Sequence, residues 1–239
     1  VTSRAYFRRG TYTDWADACG TDWVRAWWEC PSGGAFLDLA RLSAGLDPAP
    51  LLGLAARLVR RALEHAGVVG PRRGRAAEAL PADDESLAWA RGTLERVERS
   101  VRLGALPNGL PNASEGDDDR VTRLPTGPRA WVLREAVSAV GMLARCADAV
   151  LGPAPDEGPE LHSSTALACY VYAAVAGWRA SPDAPMGPGP SIEPAVRWSR
   201  EADEDASRAA EAERRAQVQL LRADLPLAAL LQAVTDGAP

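Results

Sequence analysis

Apolar residues recur along this chain at intervals of three and four, and strict alternation is almost absent, the pattern of helices that bury one face. Between 13 and 29 the tryptophans Trp15, Trp23, Trp27 and Trp28, with Val24 and Ala26, predict an amphipathic helix with Trp23 and Trp27 on one face. Pro31 and the pair Gly33-Gly34 are read as its stop. A short apolar segment follows at 35–42 and ends by Gly45. Asp47 is a natural N-cap with Pro48 at the first helical position, and Leu51, Leu52, Leu58, Val59 and Leu63 carry a helix on toward Gly67. Beyond a Gly/Arg/Pro loop, Asp83 or Asp84 can cap a helix bearing Leu87, Trp89, Leu94, Val97 and Val101, ending near Gly104.

The stretch 107–128 has hardly any apolar residues and holds Asn-Gly, Pro-Asn and Thr-Gly-Pro, so it reads as a long exposed loop. Its triplet Asp117, Asp118 and Asp119 lacks the alternate-residue ligand spacing of a calcium-binding loop, and solvated acids are the simpler reading. Alanine then dominates, with helices predicted at 130–151, 161–180 and 193–221. Pro/Gly-rich linkers at 152–159 and 181–190 separate them, and a short apolar helix closes the chain after Pro226. Small side chains let helix axes approach closely. The expected fold is all-α, an antiparallel multi-helix bundle of about seven to nine helices. Its Trp/Leu-rich part at 1–106 and its alanine-rich part at 129–239 pack together as one domain.

With 46% hydrophobic residues in 239, the chain can build a real core. All 27 basic residues are arginine, a bias that GC-rich coding explains, against 32 acidic ones. The net charge of −5 opposes a broad basic surface for nucleic acid or anionic membrane. Arg72, Arg73 and Arg75 form a tight basic cluster, but in a Gly/Pro-bounded loop that reads as a solvated turn. Cys19, Cys30, Cys146 and Cys169 show neither CxxC spacing nor the density of a disulfide scaffold, so each is expected to behave as a small apolar residue. No apolar run approaches the ~20 residues that span a bilayer, and the cytoplasm is the expected location.

Candidate chemistry is sparse. His65 sits near a helix end, where an imidazolium would suit the helix dipole. His162 begins a helix in which Ser163 or Ser164 reads as a cap, and neither histidine has a carboxylate or cysteine at ligand spacing. Phosphate-loop, nucleophile-elbow and zinc motifs are missing from the sequence, so no catalytic residue, metal ligand or cofactor is expected. Eight tryptophans are an unusual bias. Trp23, Trp27 and Trp89, at helical spacing, are assigned to the core.

Several elements in order resemble a known family: Trp27-x-x-Cys30-Pro31, then Gly34-Ala35-Phe36-Leu37-Asp38-Leu39-Ala40-Arg41-Leu42, then the helix from Leu51 to Leu63. Leu87-Ala88-Trp89-Ala90-Arg91-Gly92 and the tail Arg222-Ala223-Asp224-Leu225-Pro226 continue the likeness. Together they resemble the alanine-rich helical immunity proteins of bacterial toxin systems. The family's usual Arg-Pro-Arg approach to its tryptophan element is replaced here by Arg72-Arg73-Gly74-Arg75, and the loop at 107–128 is extra. The resemblance implies a non-catalytic protein-binding protein that neutralises a toxin, and the acidic balance suits a basic target. Partner contacts by charge are assigned to Asp117, Asp118 and Asp119. A structural or adaptor subunit is the alternative, and an enzyme whose site converges from separated helices is the third reading.

Overall fold

The computed structural model describes residues 19, 22–43, 45–70, 85–106, 127–152, 161–188 and 194–237. Within them the chain forms eight α-helices, one turn of π-helix and one short β-hairpin. Asp117, Asp118 and Asp119, the Arg72–Arg75 cluster and the cap candidates Asp83 and Asp84 lie outside the described residues.

The run predicted over 13–29 is interrupted at Asp22, which caps α1 (Trp23–Glu29), its Oδ1 accepting from Arg25 N at 2.9 Å; residues 13–18, 20 and 21 lie outside the described residues. Gly33 and Gly34, expected to act as a break, instead open α2 (Gly33–Asp38), with the Ser32 hydroxyl accepting from Ala35 N. Their role is close approach. A Cβ at Gly33 would lie 2.6 Å from Gln217 Oε1, and one at Gly34 would lie 2.9 Å from His162 Cβ. Every residue of α2 is buried, and Phe36 and Leu37 are among the largest fully enclosed side chains, each contributing roughly 1.5–3 kcal/mol of apolar burial. A π-helical turn, Leu39–Ser43, continues it.

Helix α3 (Pro48–His65) follows expectation, with Asp47 Oδ1 accepting from Ala49 N and Leu51, Leu52, Leu58, Val59 and Leu63 buried on one stripe. Next come α4 (Glu85–Leu103) and α5 (Pro128–Leu151). Pro128 is the first residue of α5 rather than the last of a loop.

Helix α6 (Leu161–Ala180) is the central element, packed by α2, α3, α5 and α7. Its sequence is apolar nearly all round, as a helix surrounded by others requires. The predicted start of the last long helix near 193 is corrected. Met186–Pro188 (β1) and Pro194–Val196 (β2) pair antiparallel, and α7 (Arg200–Asp224) begins only after Ser199, whose hydroxyl accepts from Ala202 N. Helix α8 (Leu227–Gly237) closes the fold and touches α1.

Cross-helix contacts fix the directions. Gly177 meets Trp198 while Thr165 O accepts from Gln217, so α6 and α7 run antiparallel. Arg60 with Glu98 and Gly53 with Val101 set α3 and α4 antiparallel as well. Ala136, Ala139, Ala144, Ala147, Ala168 and Ala174 are buried in these contacts, as their size predicts. All four cysteines are buried and free, and Trp23, Trp27 and Trp89 pack against the core. Among the described residues no helix is long and apolar enough to cross a membrane.

Candidate functional site

Three helices and the hairpin exit enclose a cleft of about 530 Å³, counting its solvent-open mouth. Cys169, Tyr170, Ala173 and Ala174 project from one face of α6, spaced at three and four, and Asp203, Ala206, Ser207, Ala210 and Arg214 do the same on α7. Trp131 and Glu135, one turn apart on α5, complete the wall. The floor is small by composition: Ala173, Ala206 and Ala210 touch one another in an apolar cluster separate from the main core. Among the described residues the floor of the groove between the two helices is made by small side chains.

The rim is aromatic. Trp131 is set by the start of α5, where its N–H donates to Gly127 O and Gly127 takes a φ of 133°. Trp198 follows the hairpin, is steadied by the Arg197 N–H donating to Pro185 O, and lies flat on Gly177. A Cβ at Gly177 would meet its ring at 2.9 Å, so glycine there is what lets the indole reach the cleft. Arg214, mostly enclosed, pairs with Glu211 at 3.1 Å. Sequence reading missed Trp198, Glu135 and Asp203, although the spacing of 203, 206, 207, 210 and 214 on one helical face was available.

Behind the cleft lies a buried polar node. Glu213, its side chain 1% exposed, meets Arg61 of α3 at 3.3 Å and hydrogen-bonds with Gln217 and Tyr172. Gln217 also donates to Thr165 O at 3.2 Å, tying α7 to α6. Burial raises the Glu213 carboxyl above the usual carboxylate range despite Arg61, and burial likewise raises Tyr172. His65 stacks on Tyr172 with ring centroids 4.1 Å apart. The expected imidazolium at this helix end is corrected: burial, with Arg179 and Arg61 close by, lowers His65 to about 4, so it is neutral near pH 7. Burial pushes the thiols of Cys30 and Cys169 up to about 12, which makes both poor nucleophiles.

His162 does have a carboxylate, 124 positions away, where spacing could not show it. Its Nδ1 lies 3.0 Å from Oδ2 of the buried Asp38. Ser164 is no cap, since its hydroxyl donates to Leu161 O inside α6. Among the described residues no group of three or more histidine, cysteine or acidic side chains could hold a metal ion.

A second surface feature lies on α1, where Trp28 is 62% exposed and Val24, one turn away, is 46% exposed. Two of the motifs quoted for the resemblance meet beneath it: Arg222 donates to the carbonyls of Trp27 and Trp28, and the Trp27 indole donates to Leu225 O. In this chain those motifs join the first helix to the last ones; they do not line the cleft. Comparisons with protein-family models, with curated proteins and with solved structures returned no match.

Proposed function

We propose that this chain is a protein-binding protein of the immunity type, which engages a basic partner through the cleft of α5, α6 and α7. The observation that carries the reading is the cleft's lining, in which Trp131, Tyr170 and Trp198 border a floor of alanines, of which Ala173, Ala206 and Ala210 cluster apart from the main core. Tryptophan and tyrosine concentrate binding energy at protein interfaces because each supplies a large rigid face at low entropic cost. The shifted groups nearby favour binding over chemistry: the thiol at the floor is held protonated, and Tyr172 and Glu213 are engaged with each other behind the wall. The net charge of −5 draws a basic target.

The test is affinity purification of the tagged chain from its native lysate, run beside Ser207→Phe, which fills the groove from its rim. A partner recovered at about one per chain and lost with Ser207→Phe supports the reading. Relief of that partner's toxicity on co-expression marks it as a toxin, whereas a stable non-toxic assembly makes the chain an adaptor. A partner retained equally by both versions, or recovery of the chain alone, sinks the proposal.

A further inference from the structure

We infer that the contact between Arg61 of α3 and Glu213 of α7 is a pH-operated latch, closed while the carboxylate is ionised and open once it takes a proton and Arg61 returns to solvent. The latch stands independently of the docking role proposed for the cleft.

Helices α3 and α7 both pack on α6, and the pair reaches from one to the other past Tyr172 of α6. Its two ends sit in different media. The Glu213 side chain is 1% exposed, whereas that of Arg61 is 40% exposed. The grip is also loose. Arg61 approaches both carboxylate oxygens with a single nitrogen, Nη1, at 3.3 Å, longer than the roughly 2.7–2.9 Å of a charge-assisted bond. Its neighbour Arg60 makes the firmer arrangement, forking onto Glu98 with Nε at 2.5 Å and Nη2 at 2.6 Å.

Opening the latch strands no buried group. Tyr172 and Gln217 hydrogen-bond with the Glu213 carboxyl, and Gln217 also donates to Thr165 O. A hydroxyl accepts as well as donates, so the protonated carboxyl donates to the Tyr172 oxygen that donated to it before. The released guanidinium, already partly in solvent, is hydrated. Proton uptake therefore replaces a buried charge and a loose ion pair with a neutral buried hydrogen bond and a hydrated cation.

The surrounding groups leave Glu213 to titrate by itself. On α3, His65 stacks on Tyr172 and is neutral above about 4. On α6, burial raises Tyr172 and pushes Cys169 up to about 12, and Arg179 supplies a fixed positive charge beside His65. On α7, Glu211 is shared by Arg214 and Arg215, each at 3.1 Å. From α2, Gly33 meets Gln217 and brings no charge. Arg57 and Asp224 tie α3 to α7 at a more exposed site and keep the two helices linked when the latch opens. Because α7 also supplies Ala206, Ala210 and Arg214 to the cleft, the latch joins proton occupancy to a helix that shapes it.

The experiment is an NMR pH titration of the full chain from about pH 8 to about 4.5. It follows the Glu213 carboxyl carbon, assigned with Glu213→Gln, and the Arg61 Nε–H, assigned with Arg61→Gln. The expected result is one shared midpoint: as the Glu213 signal titrates, the Arg61 Nε–H loses its ordered heteronuclear NOE. In Glu213→Gln, the Arg61 signal should show the mobile state at every pH. In Arg61→Gln, the Glu213 midpoint should move up, because the charged form loses its cation. Tyr172→Phe, which removes a donor to the charged form, should also move the midpoint up and carry the Arg61 transition with it.

An Arg61 that stays equally ordered through the Glu213 titration would overturn the inference. So would an Arg61 transition that survives in Glu213→Gln. A Glu213 midpoint left unmoved by Arg61→Gln would show that the contact does not sense the proton, and would sink the latch as well.

Discussion

Arg222 and Trp27 hold each other from both sides. The guanidinium donates to Trp27 O through Nε at 3.0 Å and Nη2 at 2.8 Å and lies over the indole, while Trp27 Nε1 donates to Leu225 O at 3.2 Å. The carbonyls it caps are among those that a helix end leaves unsatisfied. Nearly two hundred residues separate the partners, so this clasp joins the α1 region to the α7–α8 corner.

Because the fork geometry does the capping, Arg222→Lys should cost about 1–2 kcal/mol, and Trp27→Phe about 1 kcal/mol through the lost indole donor. Combined, they should cost less than the sum, since each removes part of one arrangement. Urea unfolding of the two single variants and the double variant measures this, and strict additivity would show the two groups to be independent.

Glycines offer a second prediction, of opposite sign at different sites. Gly34→Ala would set a Cβ 2.9 Å from His162 Cβ and 3.0 Å from its Cα, against backbone that cannot swing away, and should destabilise by about 1–3 kcal/mol. Gly92→Ala in α4 has its nearest neighbour at 4.0 Å, the end of a flexible arginine, and should stabilise by about 0.5–1 kcal/mol. Thermal unfolding of both variants checks the pair, and a stabilised Gly34→Ala would contradict the close packing of α2 on α6.

His65 sets part of the acid limb of stability. Its proton affinity falls on folding, from an ordinary value near 6.5 to about 4, so the stability it contributes is fully present above 6.5 and is lost as pH drops toward 4. At about 1.4 kcal/mol per pH unit the limit is about 3 kcal/mol. His65→Phe keeps a ring against Tyr172 and carries no proton. Its stability should fall less than the wild type's between pH 6.5 and 4.5, and parallel curves would remove His65 from this role.

Glu213 acts in the other direction. Its carboxyl is raised on folding, so its favourable contribution is complete below the ordinary carboxylate range and is lost as pH rises through the folded-state value. Near pH 7.5 the buried charge is therefore a net cost. Glu213→Gln should raise Tm by about 2–4 °C at pH 7.5, with the gain shrinking at pH 4.5. Glu213→Leu should lower Tm at both, because it strands the Tyr172 hydroxyl and Gln217. A gain from Gln that does not depend on pH would show that charge is not the cause.

Local pattern alone determined the all-α class, the buried stripes of α3 to α6, the Asp47 cap and the inert cysteines. Each depends on residues within a few positions, whose spacing states which side chains share a face. Tertiary structure decided the rest. The stripe 202, 206, 210, 213, 217 and 221 on α7 marks Glu213 as inward-facing, yet Arg61 and Tyr172, which make that burial tolerable, come from other helices. The glycines at 33, 34 and 177 differ from helix breaks only through what packs on them: Gln217, His162 and Trp198. Asp38 reaches His162, and the walls of the cleft come together, only once α2, α5, α6 and α7 are side by side. Periodicity reports which face turns inward; what that face meets depends on the packing of elements distant in sequence.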